Sequence, residues 1–233
     1  MKKCTSDYIN INYKICKELK IKSYKDHINE LFKENDEILT NEHLRIYNNF
    51  NRNITLSDNL HMVLDVETNG YNTIIQICYF IVDDNNYLIR RNNFILCNKY
   101  YNKYVTDYYK KITEDDVKIY GCDPIKILLK LNNDAKQCKT IIGHNIAFDI
   151  RKLKLYFEQH GLQFHCPLSI FDTMTKSKKF VLLKDKRGRP KNPKLLELCE
   201  YFNIKNKSEL FHDAEYDVLC TYLCFMNLKK LLD

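Results

Sequence analysis

"HMVLDVETNG", residues 61–70, carries the pattern on which the fold turns. His61-Met62-Val63-Leu64-Asp65-Val66 is a short apolar run of strand type, and Asn69-Gly70 closes it with a turn signal. Within the run Asp65 and Glu67 stand two apart, so the period-two geometry of a strand points both to one side of a sheet. Acids inside an apolar strand are costly unless something compensates them. A divalent cation would do so, and so would a strand end at which both carboxylates reach water.

Working outward, Ile74–Val82 is a second β-rich run, and Asp83-Asp84-Asn85-Asn86 is a hairpin turn leading to a third, Tyr87–Cys97. A helical pattern runs from Asp123 to Ala135, followed by a strand at Thr140–Gly143 and a long helix from about Ala147 to His160. Pro167, Gly188, Pro190 and Pro193 punctuate the next stretch, and Lys194–Phe202 and Ala214–Leu232 read as amphipathic helices. Three strands, then helix, strand and helix, give an α/β sheet with helices on both faces. Residues 1–58 contain no Gly or Pro and repeat Leu19, Ile28, Leu31, Phe32, Ile38 and Leu39 at roughly helical spacing. The expected division is a small helical N-terminal extension at 1–58 and a main domain at 59–233. The lysine-rich first half of the extension is distantly similar to SAP-like nucleic-acid-binding helices.

The chain has 233 residues, enough to bury a full core without staples. The N-terminus has no apolar stretch of the signal-peptide kind, and no run approaches the roughly 18 apolar residues of a spanning helix. That leaves no membrane association expected, and ten cysteines scattered with no C-x-x-C pair predict reduced thiols in a cytoplasmic or nuclear compartment. Abundant Lys, Asn, Ile and Tyr point to an A+T-rich genome, such as a virus's, and say little about function.

Charge is concentrated. Residues 1–58 hold ten bases and nine acids, whereas Lys176–Lys194 alone holds nine bases against Asp185. One such segment fits a polyanion site better than a diffuse excess does, the alternative being a solvated lysine-rich loop.

Two further stretches carry chemistry. In "GHNIAFDI" (143–150) Asp149 falls in the first turn of the long helix, Asn145 is a natural N-cap, Phe148 reads as core, and His144 reads as a residue that orders local structure. In "HDAEYD" (212–217) His212 and Asp217 are five apart. Five helical residues turn through about 500°, so the two would not share a helix face. They can cooperate if the helix starts at about Asp213 and His212 precedes it.

Taken together, "LDVETNG", "GHNIAFDI" and "HDAEYD" resemble the three motifs of the DEDDh (DnaQ-like) 3′–5′ exonucleases: D-x-E-T-x-G, H-N-x-x-F-D and H-x-A-x-x-D. "KITEDDV" (111–117), "FDTM" (171–174) and "KNPKLLEL" (191–198) are similar to secondary segments of the group. The likeness covers roughly 60–232, and Asn69 stands where a threonine is frequent.

The resemblance implies a ribonuclease H-like three-layer fold with a mixed, mostly five-stranded sheet. It implies two divalent cations, Mg²⁺ or Mn²⁺: Asp65, Glu67 and Asp217 on the first, Asp65 bridging to the second, and Asp149 acting mostly through water. It makes His212 the general base and sets Thr68, Asn69 and Gly70 near the terminal nucleotide. Lys184, Lys186, Arg187 and Arg189 of the basic segment then have phosphates to hold, upstream of the scissile bond. The expected partners are single-stranded DNA or RNA 3′ ends, with DNA favoured. Alternatives are a proofreading module docked to a polymerase or another replication or repair protein, an RNA-trimming exoribonuclease, and a non-catalytic nucleic-acid binder. That last reading should have cost at least one acid or the histidine, and none is missing.

Overall fold

The computed structural model describes residues 59–69, 73–84, 88–97, 112 and 114–232. The proposed extension at 1–58, together with Gly70, Cys4 and Cys16, lies outside the described residues. Five strands form one sheet: β1 (Leu60–Thr68), β2 (Ile74–Val82), β3 (Leu88–Ile95), β4 (Cys138–Gly143) and β5 (Ser169–Asp172). Their order is β3-β2-β1-β4-β5, with β1, β2 and β3 antiparallel in succession and β1, β4 and β5 parallel. The helices are α1 (Glu114–Tyr120), α2 (Pro124–Ala135), α3 (Ile146–Gln159), α4 (Thr173–Ser177), α5 (Leu195–Tyr201) and α6 (Ala214–Leu232).

Alternation along β1 builds the three layers. Met62, Leu64 and Val66 pack with Ile127 and Leu131 of α2 and with Ile150 and Leu153 of α3. Val63 points the other way, into a core with Phe80, Leu219, Tyr222 and Leu223. Asp65 and Glu67 continue Val63's phase, so the acid pair belongs to the α6 side of the sheet. β2 is buried along its whole length, as expected for a continuous apolar run covered on both faces.

The short helices α1 and α4 are additions to the sequence reading, and two further elements depart from it. The segment "SIFD" forms β5, parallel to β4 at the sheet edge, a role that its four partly exposed residues do not announce. Helix α6 is not amphipathic: every residue from Ala214 to Met226 is buried. It packs on β1, β2 and β4 and is covered in turn by α4 and α5, so it has no wet face over this length. Among the described residues no helix is long and apolar enough to cross a membrane, and all eight described cysteines are free thiols.

Candidate active site

The site forms where β1 and β4 part. Their ladder ends at Val63 and Ile142, while β1 runs on to Thr68 paired with β2. Into this gap, at the carboxyl ends of parallel strands, comes the start of α3. In open α/β sheets such a crevice is the usual ligand position. Asp149 Oδ1 accepts the Val66 backbone N–H at 3.4 Å, occupying a donor that β4 no longer reaches.

The β4–α3 turn is tight. A Cβ on Gly143 would lie 2.5 Å from Ile146 Cδ1, so a side chain there would force the turn apart. Asn145 takes a left-handed conformation, φ 63°, which Asn tolerates better than most residues. It occupies the N-cap position, but its side chain makes no capping bond, contrary to the sequence expectation. Its backbone N–H donates instead to Asp172 Oδ1 at 2.9 Å, and the same oxygen caps α4 through Met174 N–H at 2.9 Å. His144 has the ordering role expected: Nδ1 lies 3.0 Å from Thr173 Oγ1 and Nε2 3.1 Å from the Pro193 carbonyl. Burial holds this imidazole below its ordinary pKa. Phe148, read as core, is instead 36% exposed, with Arg151 and Lys152 5.6 and 5.3 Å from its ring centre. Asp149 next to it takes the inward direction, and helical geometry sends its neighbour outward.

At the other helix start, Asp213 caps α6: its Oδ1 accepts from Glu215 N–H at 2.9 Å and Tyr216 N–H at 3.2 Å. His212 therefore stands outside the helix, at φ 69°, and is exposed. Its backbone N–H donates to Asp217 Oδ2 at 3.1 Å, which ties the two residues across the five-residue gap. Ligand atoms of Glu67, His212 and Asp217 lie within 4.8 Å of one another.

The electrostatics are those of crowded acids. Burial, then Asp149, Asp217 and Glu67, push the Asp65 carboxyl well above its usual range. Asp149 is pushed up to about 8, chiefly by burial, although its backbone hydrogen bonds oppose the shift. A site that holds four acids at such cost, with one imidazole at its rim, has the donor chemistry of a hard divalent cation. The residues present fit a divalent metal ion.

The remaining expected residues divide. Thr68 ends β1 half-buried; Asn69 is 1% exposed, and its N–H donates to the Thr73 carbonyl at 3.0 Å. The basic segment contains a small hairpin closed by the bridge of Lys184 with Pro190. Asp185 organises it, accepting the Arg187 and Arg189 N–H groups at 2.8 and 2.9 Å. Arg189 also turns its guanidinium onto Asp185 at 2.8 Å, and Lys191 pairs with Glu197, so these two cations have protein partners. Lys184, Lys186 and Arg187 are exposed. Sequence reasoning passed over Asp172, Gln76, Asn93, Arg91 and Glu215, which brace the two helix starts directly or through one another. Gln76, Arg91 and Asn93 stand in strands with no motif spacing to announce them, while Asp172 and Glu215 lie inside quoted motifs whose spacing does not show this bracing role.

The sequence pattern of a family described as exonuclease, the RNase T type, matches residues 62–225. A DNA polymerase III of PolC type from Streptococcus suis is 28% identical over 185 residues, covering 77% of this chain and 12% of that protein. The corresponding protein of Listeria monocytogenes is 29% identical over 183 residues, covering 76% and 12%. The chain thus spans a small part of the length of these curated relatives. Among solved structures, E. coli exonuclease I in complex with a dT13 oligonucleotide superposes with a TM-score of 0.63 at 17% identity, over 75% of this chain and 43% of that one. Its complex with dA16 gives 0.60 at 15% identity, over 74% and 41%. At such identities the likeness is one of fold, and the fold is the ribonuclease H-like one.

Proposed function

The chain belongs to this exonuclease family, and from that premise we propose that it is a metal-dependent 3′–5′ exonuclease. It releases nucleoside monophosphates from single-stranded ends, DNA in preference to RNA. The observation that carries the reading is the convergence of Glu67, Asp217 and His212 within 4.8 Å from two distant parts of the chain.

Asp65, Glu67, Asp149 and Asp217 would hold two divalent cations, Mg²⁺ or Mn²⁺, whose chemistry there is to polarise the phosphate and acidify water. His212 takes the proton of the attacking water at its ring and, being exposed, returns it to solvent. Asp217 fixes the base through the His212 backbone N–H, leaving the imidazole itself uncommitted to that bond. Thr68, Asn69 and Gly70 border the terminal nucleotide. The exposed Phe148 ring, next to Asp149 and flanked by Arg151 and Lys152, offers a stacking surface to a nucleobase. Residues 59–233 act as the catalytic domain and 1–58 as an appended extension.

The test uses one oligonucleotide labelled at either end. Wild type shortens it from the 3′ end with Mg²⁺, stops with EDTA, and loses activity on Asp65→Ala or His212→Ala. Activity surviving both substitutions sinks the assignment.

Lys184, Lys186 and Arg187 hold upstream phosphates in this reading. Replacing all three with Ala should raise KM and leave kcat within about twofold. It should also flatten the salt slope of single-strand binding by about 0.7 for each phosphate that is no longer neutralised. An unchanged slope removes the hairpin from the substrate path.

The names of the relatives favour DNA: exonuclease I is bound to dT13 and dA16, and the PolC-type proteins are DNA polymerases. The latter also support a second reading, a proofreading module that works beside a polymerase. Matched DNA and RNA oligonucleotides separate the substrates, and co-purification of a polymerase with the full chain tests the second reading.

A further inference from the structure

The start of α6 is held by more than its cap. Gln76 lies opposite Glu67 in the β1–β2 register. Its Oε1 accepts the Ala214 backbone N–H at 3.1 Å, and its Nε2 donates to Asn93 Oδ1 at 3.0 Å. Asn93 Nδ2 donates in turn to Glu215 Oε2 at 3.1 Å. The other oxygen of Glu215 takes the Arg91 guanidinium in a two-pronged ion pair. Gln76 and Glu215 are buried, at 2% and 3% exposure. The hydrogen-bonded path runs from β2 to β3 to α6 and back, and it closes on the first turn of the helix that carries Asp217.

Three facts give this strut a direction. First, Glu67 and Gln76 are cross-strand partners, so the residue that grips α6 is fixed beside one of the clustered acids. Second, Glu215 lies two residues before Asp217 and three after His212, in the same turn that Asp213 caps. Third, a buried carboxylate beside crowded acids would add to their repulsion, and the Arg91 guanidinium offsets it. Two nitrogens of the planar guanidinium meet one Glu215 oxygen while Asn93 holds the other, which fixes the carboxylate's orientation as a point charge would not.

We propose that Arg91, Asn93 and Glu215, acting through Gln76, are positioning residues that hold His212 and Asp217 in register with Glu67. The proposal rests on the exonuclease reading given above, since it assigns those three residues to one reaction. None of the four strut residues touches the reacting atoms. Their effect is the geometry between an acid on β1 and an acid and a base on α6 and the turn before it.

Geometry of this kind governs kcat more than KM, because it decides the alignment of groups in the transition state. Asn93→Ala removes one bond and leaves the ion pair in place. Arg91→Met and Glu215→Gln break the pair. The double variant Arg91→Met with Glu215→Met removes both charges at similar volume, a change that buried pairs often tolerate in stability. Arg91→Lys keeps the charge and loses the fork.

The experiment measures kcat and KM on a 3′-labelled oligonucleotide, Tm by calorimetry, and Mn²⁺ affinity by electron paramagnetic resonance without substrate. Expected are a fall in kcat of about threefold to tenfold for Asn93→Ala and about tenfold to a hundredfold for the charge variants. KM should stay within about threefold, and Mn²⁺ binding should weaken about tenfold in the charge variants. Arg91→Lys should recover part of kcat. The double variant should melt near wild type while its kcat stays low.

A double variant that regains both Tm and kcat overturns the proposal, since the strut would then be packing alone. So does wild-type kcat and Mn²⁺ affinity in folded Asn93→Ala, or a loss confined to KM. If a charge variant does not fold, Asn93→Ala and Arg91→Lys decide. Wild-type protein that neither binds Mn²⁺ nor cuts would instead fail the exonuclease reading, which keeps the two failures apart.

Discussion

Two helices begin at the candidate active site, and each follows a non-glycine residue in the left-handed region: Asn145 before α3 and His212 before α6. The backbone device is the same and the product is opposite. At α3 the turn is braced from outside, by Asp172 on the Asn145 N–H and by His144 between Thr173 and Pro193. It delivers a buried acid, Asp149, into the sheet. At α6 the turn is braced by its own cap, Asp213, and by Gln76 from the sheet. It delivers an exposed imidazole to the rim and a buried acid, Asp217, beneath it. The difference teaches how one fold supplies both a sealed acid and an accessible imidazole. Helical periodicity places the acids, and the residue that must meet solvent is taken out of the helix altogether.

Replacing each left-handed residue by Gly tests this contrast most sharply, because Gly adopts that conformation without strain. His212→Gly should lower kcat by about 10²–10⁴-fold, the span of general-base catalysis, and leave Tm equal or slightly higher. Asn145→Gly should change kcat by less than about threefold. If both lose activity equally, the asparagine turn has a chemical role and the comparison breaks.

The sealed acid should also reveal itself in stability. Asp149 has a folded pKa of about 8 against an ordinary 3.8, so the folded state binds the proton more tightly than the unfolded one. Its contribution to stability is therefore greatest below about pH 4 and is lost as pH rises towards 8. Metal-free protein should therefore lose stability across that window, read as a Tm that falls between about pH 4 and pH 8. Mg²⁺ or Mn²⁺ should raise Tm more at pH 8 than at pH 5, and Asp149→Asn should flatten the metal-free profile. A pH-independent Tm in EDTA would contradict the crowded-acid account.

The smallest effect separates the two braces. Asp213→Ala removes the cap of α6 and should cost about 1 kcal/mol in urea unfolding. At α3 the corresponding side chain makes no capping bond, so Asn145→Ala should instead act through its left-handed backbone, at about 1–2 kcal/mol. Gly at position 145 should then recover the stability that Ala loses there, while Gly at position 213 should not match Asp. Equal behaviour at the two positions would mean that the two starts are stabilised in the same way.

Much of this was legible beforehand for a physical reason. The apolar phase of β1 and the two-residue spacing of Asp65 and Glu67 survive any packing, because strand periodicity is a local property. The placement of His212 outside α6 followed from the turn angle of five helical residues once the resemblance had His212 and Asp217 act together. Phe148 and Asn145 went the other way: exposure and left-handed backbone depend on what lies across the turn, here Asp172 and the gap left by β4. The short edge strand β5 gains its identity from pairing with β4, which four residues cannot signal alone.

By itself the sequence determined the layered α/β architecture through local periodicity, and the likeness of three short motifs to a known family singled out the acids and the histidine. The tertiary structure decided which of them meet. Glu67 lies far along the chain from His212 and Asp217, and the three are brought within 4.8 Å by α6 crossing the end of β1. It also decided that Gln76, Asn93, Arg91 and Glu215 join them as a strut. Contacts between distant segments are set by packing and burial, and no spacing along the chain encodes them.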